Sequence, residues 1–160
     1  MVNGRRSLTV GVVVVAALVG AVSIFLWLTT PGGSEDGPSP IAWDRIACSH
    51  CRMHVGEPAF AAQLRDEYGD LEVFDDPGCL FTWRDQHVGP VRAVFFHASE
   101  GDSWIPESEV GFLPHEPTPM GYGYAAVPKG TAGALTIHAT REALVARGLL
   151  PAPTAPVGTP

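Results

Sequence analysis

Charge is what this chain has least of. Charged residues make up 17% of its 160 positions, with 10 Lys and Arg against 17 Asp and Glu and a formal net charge of −7. Such a chain, with a pI of about 5.2, has no basic surface to neutralise phosphates, and nucleic acid is excluded as a partner. Methionine is scarce as well: there are three, one of them the start residue. Cysteine also numbers three, an odd count that leaves one thiol over after any pairing. Outside the cytoplasm, where cysteines ordinarily pair, a leftover thiol points either to metal or redox chemistry or to a buried small hydrophobe. No internal repeat is present, and the length suits one compact domain.

One long apolar run stands at residues 8–28, matching the ~20 residues a helix needs to cross ~30 Å of hydrocarbon. Arg5 and Arg6 precede it and Glu35 and Asp36 follow, an asymmetry that places the N-terminus in the cytoplasm and the remainder outside. The two arginines also fit part of a twin-arginine export signal, but no small-x-small cleavage site follows closely. Cys48 lies too far beyond the run for a lipoprotein signal. The expected organisation is a cytoplasmic N-terminus over 1–7, an uncleaved single-pass anchor over 8–29, and a Gly, Ser, Pro and acid linker over 30–40. An extracytoplasmic domain over 41–149 and a disordered Pro and Thr tail over 150–160 follow.

Within the domain, residues 59–64 and 71–74 read as two strands paired across Tyr68-Gly69-Asp70. Asp76-Pro77 reads as a helix start, with an acceptor side chain at the cap and proline at the first helical position, so a helix is expected over 77–86. Residues 91–97 form the clearest strand pattern. Beyond it, 104–110 fits a short strand or turn, and 121–127 a strand that Gly123 interrupts or brings close to a neighbour. A strand over 134–138 and a last helix over 141–147, capped by Thr140, complete the pattern. The fold class expected is α+β, with small mixed or antiparallel sheets and one flanking helix each in ββαβ-like units, preceded by one transmembrane helix.

Two short runs carry the chemistry. Ala47-Cys48-Ser49-His50-Cys51-Arg52-Met53-His54 packs two thiols, a thioether and two imidazoles into one turn, and His115-Glu116-Pro117-Thr118-Pro119-Met120-Gly121 offers another imidazole and thioether on a proline-stiffened loop. Soft sulfur donors favour Cu(I) over oxygen-loving ions, and the expectation is that the two runs meet. Attachment of a c-type haem is excluded because Arg52, not His, follows the second cysteine. A thioredoxin-like redox pair and a structural zinc site built from Cys48, Cys51, Cys79 and one histidine stay open. Met53 and Met120 separate these from copper, since neither zinc nor disulfide chemistry uses a thioether. The metal candidates are thus Cys48, Cys51, Met53, Met120 and His115. Cys79, in the first turn of the expected helix, is a further sulfur whose pKa the helix N-terminus would lower. His50 and His54 flank the thiols, His87, His97 and His138 read as structural, and Asp75 and Asp76 suit hydrogen bonding to a ligating imidazole.

In order, Cys48-x-x-Cys51-x-Met53, Phe74-Asp75-Asp76, Trp104-Ile105 and Thr118-Pro119-Met120-Gly121 resemble the NosL family, copper-binding accessory proteins of nitrous oxide reductase assembly. The resemblance covers about residues 41–139. It implies a Cu(I) carrier rather than an enzyme, passing metal between a copper transporter and the maturation complex of a cuproenzyme, on a small α+β fold similar to that of organomercurial lyase. Carried over by position, it implies Cys51, Met53 and Met120 as ligands, together with Cys48. Arg52 stands where many members of that family carry Gly.

Overall fold

The computed structural model describes residues 18–23 and 37–152. Two compact units divide the chain, Met1–Ser34 and Glu35–Pro160. In the first, residues 18–23 are helical; the rest of the expected anchor over 8–29 lies outside the described residues. No helix among the described residues is long and apolar enough to cross a membrane.

The second unit is mixed α+β. A four-stranded antiparallel sheet has the order β2-β1-β3-β4, formed by β1 (Ala62–Asp66), β2 (Leu71–Phe74), β3 (Val91–His97) and β4 (Trp104–Pro106). Helix α1 (Pro77–Gln86) joins β2 to β3. A second, two-stranded sheet pairs β5 (Val110–Pro114) with β6 (Tyr124–Pro128), and helix α2 (Ile137–Ala146) follows. The β1–β2 hairpin pairs Ala62 with Phe74 and Arg65 with Leu71. Its turn is held by the Asp66 carboxylate, which accepts from the N–H groups of Tyr68 and Asp70 at 2.9 Å each.

Alternation along the central strand β1 sends its side chains to two different coverings. Ala62 and Leu64 are fully buried. Gln63, also buried, spends its amide on the backbone of Ser39, donating to the Ser39 carbonyl at 2.7 Å and accepting from its N–H at 2.8 Å. Arg65 donates to the carbonyls of Gly37 and Gly69. These bonds tie residues 37–39, inside the stretch expected as linker, to β1, because a buried amide left without partners would cost about 1–3 kcal/mol. At the other end Leu150, expected in the tail, is buried, and its N–H reaches the Leu144 carbonyl.

Three phenylalanines tie the sheets and α1 into one core. Phe81 on α1, Phe96 on β3 and Phe112 on β5 lie with ring centroids 5.1–6.1 Å apart in tilted or edge-to-face pairs. Burial of each ring contributes about 1.5–3 kcal/mol.

Three expectations are corrected. Residues 58–60 form a 3-10 turn and not the start of a strand, since Pro58 sets the turn and has no N–H to give a ladder. The segment 134–138 is not a strand: Leu135 makes a lone bridge to Phe112, and α2 starts at Ile137. The cap is Thr136, whose hydroxyl accepts from the Ala139 N–H at 3.2 Å, and not Thr140, which is buried inside the helix and returns its hydroxyl to the Thr136 carbonyl. The β-branched pair Thr136-Ile137 favours a strand locally, but a satisfied helix end outweighs that preference.

Candidate metal centre

The first run folds as a tight loop closed on itself. Ala47 bridges His54, Cys48 N–H donates to the Met53 carbonyl at 2.7 Å, and Arg52 N–H donates back to the Cys48 carbonyl at 3.0 Å. Closing so short a loop needs one residue in the left-handed region, and Arg52 takes it with φ +67°. For an L-residue that conformation costs about 1–2 kcal/mol, which glycine would not incur. Ser49 then fastens the loop to β2: its N–H donates to the Val73 carbonyl at 2.8 Å and its hydroxyl accepts from the Val73 N–H at 3.2 Å. Further along, Gly56 N–H donates to Asp75 Oδ1 at 3.2 Å. Hydrogen bonds to the backbone of the loop and of β2 thus fix where Cys48 and Cys51 stand.

Helix α1 brings the third sulfur. Asp76 caps it, Oδ1 accepting from Gly78 N–H at 2.9 Å, and Pro77 opens the helix. Cys79 therefore falls in the first turn, fully buried. The Sγ atoms of Cys48, Cys51 and Cys79 lie within 4.8 Å of one another, and among the described residues they form the one such cluster of His, Cys, Asp and Glu side chains. All three are free thiols. Three thiolates around one ion at ~2.3 Å stand about 4 Å apart, so the cluster closes on a metal ion with small side-chain movements.

Its electrostatics concentrate negative charge on one atom. The Cys48 thiol is lowered to about 5, chiefly because Cys79 S–H donates to it, helped by the N–H groups of Asp75, Cys51 and His50 and opposed by burial. Backbone donors aimed at a thiolate stabilise the form that binds metal. Cys79 is raised, first by that same hydrogen bond and then by burial and the neighbouring Cys48 charge. This reverses the lowering expected from the helix end, since a donated proton and a buried thiolate nearby outweigh partial charges of half a unit. Cys51 is raised by burial, against an opposing hydrogen bond from Met53 N–H. Burial first and the Cys48 charge next push Asp75 up to about 6, with the Gly56 N–H acting in the other direction.

The second run forms the loop between β5 and β6, pinched at its base by His115 N–H donating to the Gly123 carbonyl at 3.0 Å. It reaches α1. Met120 N–H donates to Asp76 Oδ2 at 3.3 Å, Thr118 also hydrogen-bonds that carboxylate, and Thr118 Oγ1 accepts from Gly123 N–H at 3.1 Å. The Tyr122 ring lies directly on Gly78, where an added Cβ would stand 2.0 Å from the ring. The Tyr122 hydroxyl meets Thr82 Oγ1 at 3.1 Å. Asp76 thus joins the backbone of the second run to the helix that carries Cys79.

The expected ligands are placed unequally. Cys48 and Cys51 belong to the cluster, Met53 sits on the same loop with 54% of its surface exposed, and Met120 packs partly buried against the core. His115 is not in the cluster; it is exposed on the β5–β6 loop, its ring 5.2 Å from that of Phe60. Missed from the sequence were the double duty of Asp76 and the wedge of Tyr122 on Gly78. One signal for the wedge existed, because glycine in a first helical turn costs about 1 kcal/mol relative to Ala and calls for a close neighbour.

Compared with known protein families, curated proteins and solved structures, the chain finds no match.

Proposed function

We propose that this protein is a membrane-tethered, extracytoplasmic Cu(I) carrier, not an enzyme, that supplies copper for assembly of nitrous oxide reductase or a similar cuproenzyme, as members of the NosL family do. The observation that carries the proposal is the cluster of three free thiols within 4.8 Å, held by backbone on one side and by a helix N-terminus on the other. Sulfur donors in a set of three suit a monovalent soft ion. A closed structural zinc site wants four protein ligands, and the cluster supplies three. The membrane tether and outside location rest on the apolar run and its flanking charges. A copper transporter and a recipient maturation complex are the expected partners.

Thiol–disulfide exchange fits the geometry less well. An attacking thiol must be both ionised and reachable. Cys48, the thiol held low, is 0% exposed, and the partly exposed Cys51 is raised.

Titration of the reduced full chain with Cu(I) against a chromophoric chelator tests the proposal. It should bind one equivalent, and Met53→Ala together with Met120→Ala should weaken binding by about tenfold, or ~1.4 kcal/mol. Unchanged affinity in the double variant would remove the thioethers from the ligand set. Failure of the unaltered protein to compete with the chelator would remove copper altogether.

A further inference from the structure

The three thiols of the cluster differ in one respect that bears on how a bound ion leaves. Cys48 and Cys79 are 0% exposed, whereas Cys51 is partly exposed. The residues after Cys51 are open to solvent as well: Arg52, Met53 and His54 are all exposed. Cys48 and Cys79 belong to the same buried core as Val55 and Phe74. Of the three thiols, Cys51 is the one with surface that an incoming donor can meet.

Anchoring differs in the same sense. Cys48 Sγ accepts backbone N–H groups from His50, Cys51 and Asp75, so it is fixed by its own loop and by the end of β2. Cys79 is fixed by the first turn of α1, which Asp76 caps and Tyr122 backs. Cys51 accepts from Met53 N–H, on the exposed arm of the loop. Two sulfurs are built in, and one sits at the edge.

We propose that Cys51 is the exchange ligand, detaching first as the metal passes to a soft donor on a partner, while Cys48 and Cys79 are the retaining pair. The inference rests on the Cu(I) reading and deepens it. In the step, the partner's thiolate forms a bond to copper as the Cys51–copper bond breaks; the proton lost by the partner's thiol goes to Cys51, and copper stays monovalent throughout. Three-coordinate copper is kept during the handover because the new sulfur arrives as the old one departs. Met53, beside Cys51 and exposed, offers a thioether to hold the ion in passage. The partner's donor in this step is a thiol that ionises as it binds, presented on the partner's own surface where it can reach the partly exposed Cys51.

The test uses the reduced full chain loaded with one equivalent of Cu(I), and follows transfer to bicinchoninate and to dithiothreitol by stopped flow. Cys51→Ser should still bind copper on the retaining pair and release it about tenfold more slowly than Cys79→Ser, which loses one of that pair and should bind more weakly. Faster release from Cys51→Ser than from Cys79→Ser would overturn the assignment while leaving the carrier proposal standing. Absence of binding in the unaltered protein would overturn both. A second measurement needs no substitution: brief iodoacetamide labelling of the metal-free protein, read by mass spectrometry, should mark Cys51 well ahead of Cys48 and Cys79. Equal labelling, or Cys48 first, would contradict it.

Discussion

The two helices of the domain have the same length, 10 residues, and each begins under a side-chain cap, yet they are buried in different ways. Helix α2 follows the ordinary surface pattern, hiding Thr140 and Leu144 four residues apart on one stripe. Helix α1 hides its whole first half instead, Pro77, Gly78, Cys79, Leu80 and Phe81 in succession. A stripe needs only an apolar sheet beneath it. A buried end needs partners for its N–H groups and a reason for being there, and here the Asp76 carboxylate supplies the first and the sulfur cluster the second. The lesson is that the site sits where a helix is buried by its end and not by its face.

The largest effect that would sharpen this contrast is expected at the caps. Asp76→Ala removes the acceptor for Gly78 and Met120 N–H together and should cost about 3–4 kcal/mol, against about 1 kcal/mol for Thr136→Ala. Chemical denaturation of both variants checks the ratio, and equal losses would break the comparison.

Next in size is a pH effect confined to the site. Asp75, raised from 3.8 to about 6 chiefly by burial, holds its proton more tightly folded than unfolded. Its contribution is full below pH 3.8 and is lost as pH rises through about 6, a change of about 3 kcal/mol. Cys48, depressed from 9.0 to about 5 chiefly by the Cys79 hydrogen bond, acts oppositely: its contribution is present above pH 9.0 and is lost as pH falls through about 5. Stability of the reduced, metal-free protein should therefore pass through a minimum at about pH 5–6. Asp75→Asn should flatten the acid side of that minimum, and a monotonic curve in the unaltered protein would refute the assignment.

A smaller effect tests the packing of the helix end. In an exposed helix, Gly→Ala stabilises by about 1 kcal/mol. At Gly78 the sign should reverse, to a loss of about 1–3 kcal/mol, because the new methyl would stand within the Tyr122 ring. Thermal unfolding decides it, and a gain in stability would mean that the second loop is not seated on α1. Smallest is Arg52→Gly, which relieves a left-handed φ and should raise stability by up to about 1 kcal/mol in the same assay.

The start of α1 was legible in the chain because Asp76-Pro77 combines a cap acceptor with a residue that tolerates only the first turn. β2 was legible from its alternation, β3 from its run of strand-forming residues after Gly89-Pro90, and β1 from the turn residues around it, though it begins at Ala62 and not at residue 59. The start of α2 was not, since Thr136 and Ile137 favour a strand until the hydroxyl of Thr136 finds Ala139. β5 was hidden for a different reason: Val110-Gly111-Phe112 follows an acidic 3-10 turn and shows no alternation of its own. At the site, Cys48 and Cys51 were marked by their spacing. Cys79 was read as a further sulfur, and it does join them, but its contact was not visible locally, because it depends on the loop being fastened to β2 by Ser49 and on α1 starting directly after that strand. The direction of the Cys79 shift was misread on the same ground, for the helix end is visible in the sequence and the thiolate beside it is not.

The most direct test of the account is X-ray absorption at the copper edge of the full chain loaded with one equivalent of Cu(I). It should show a shell of sulfur at ~2.2–2.3 Å fitted by at least three atoms, falling by one in Cys79→Ser. A shell dominated by nitrogen or oxygen, or a sulfur count untouched by that substitution, would contradict the claim that these three thiols hold the metal.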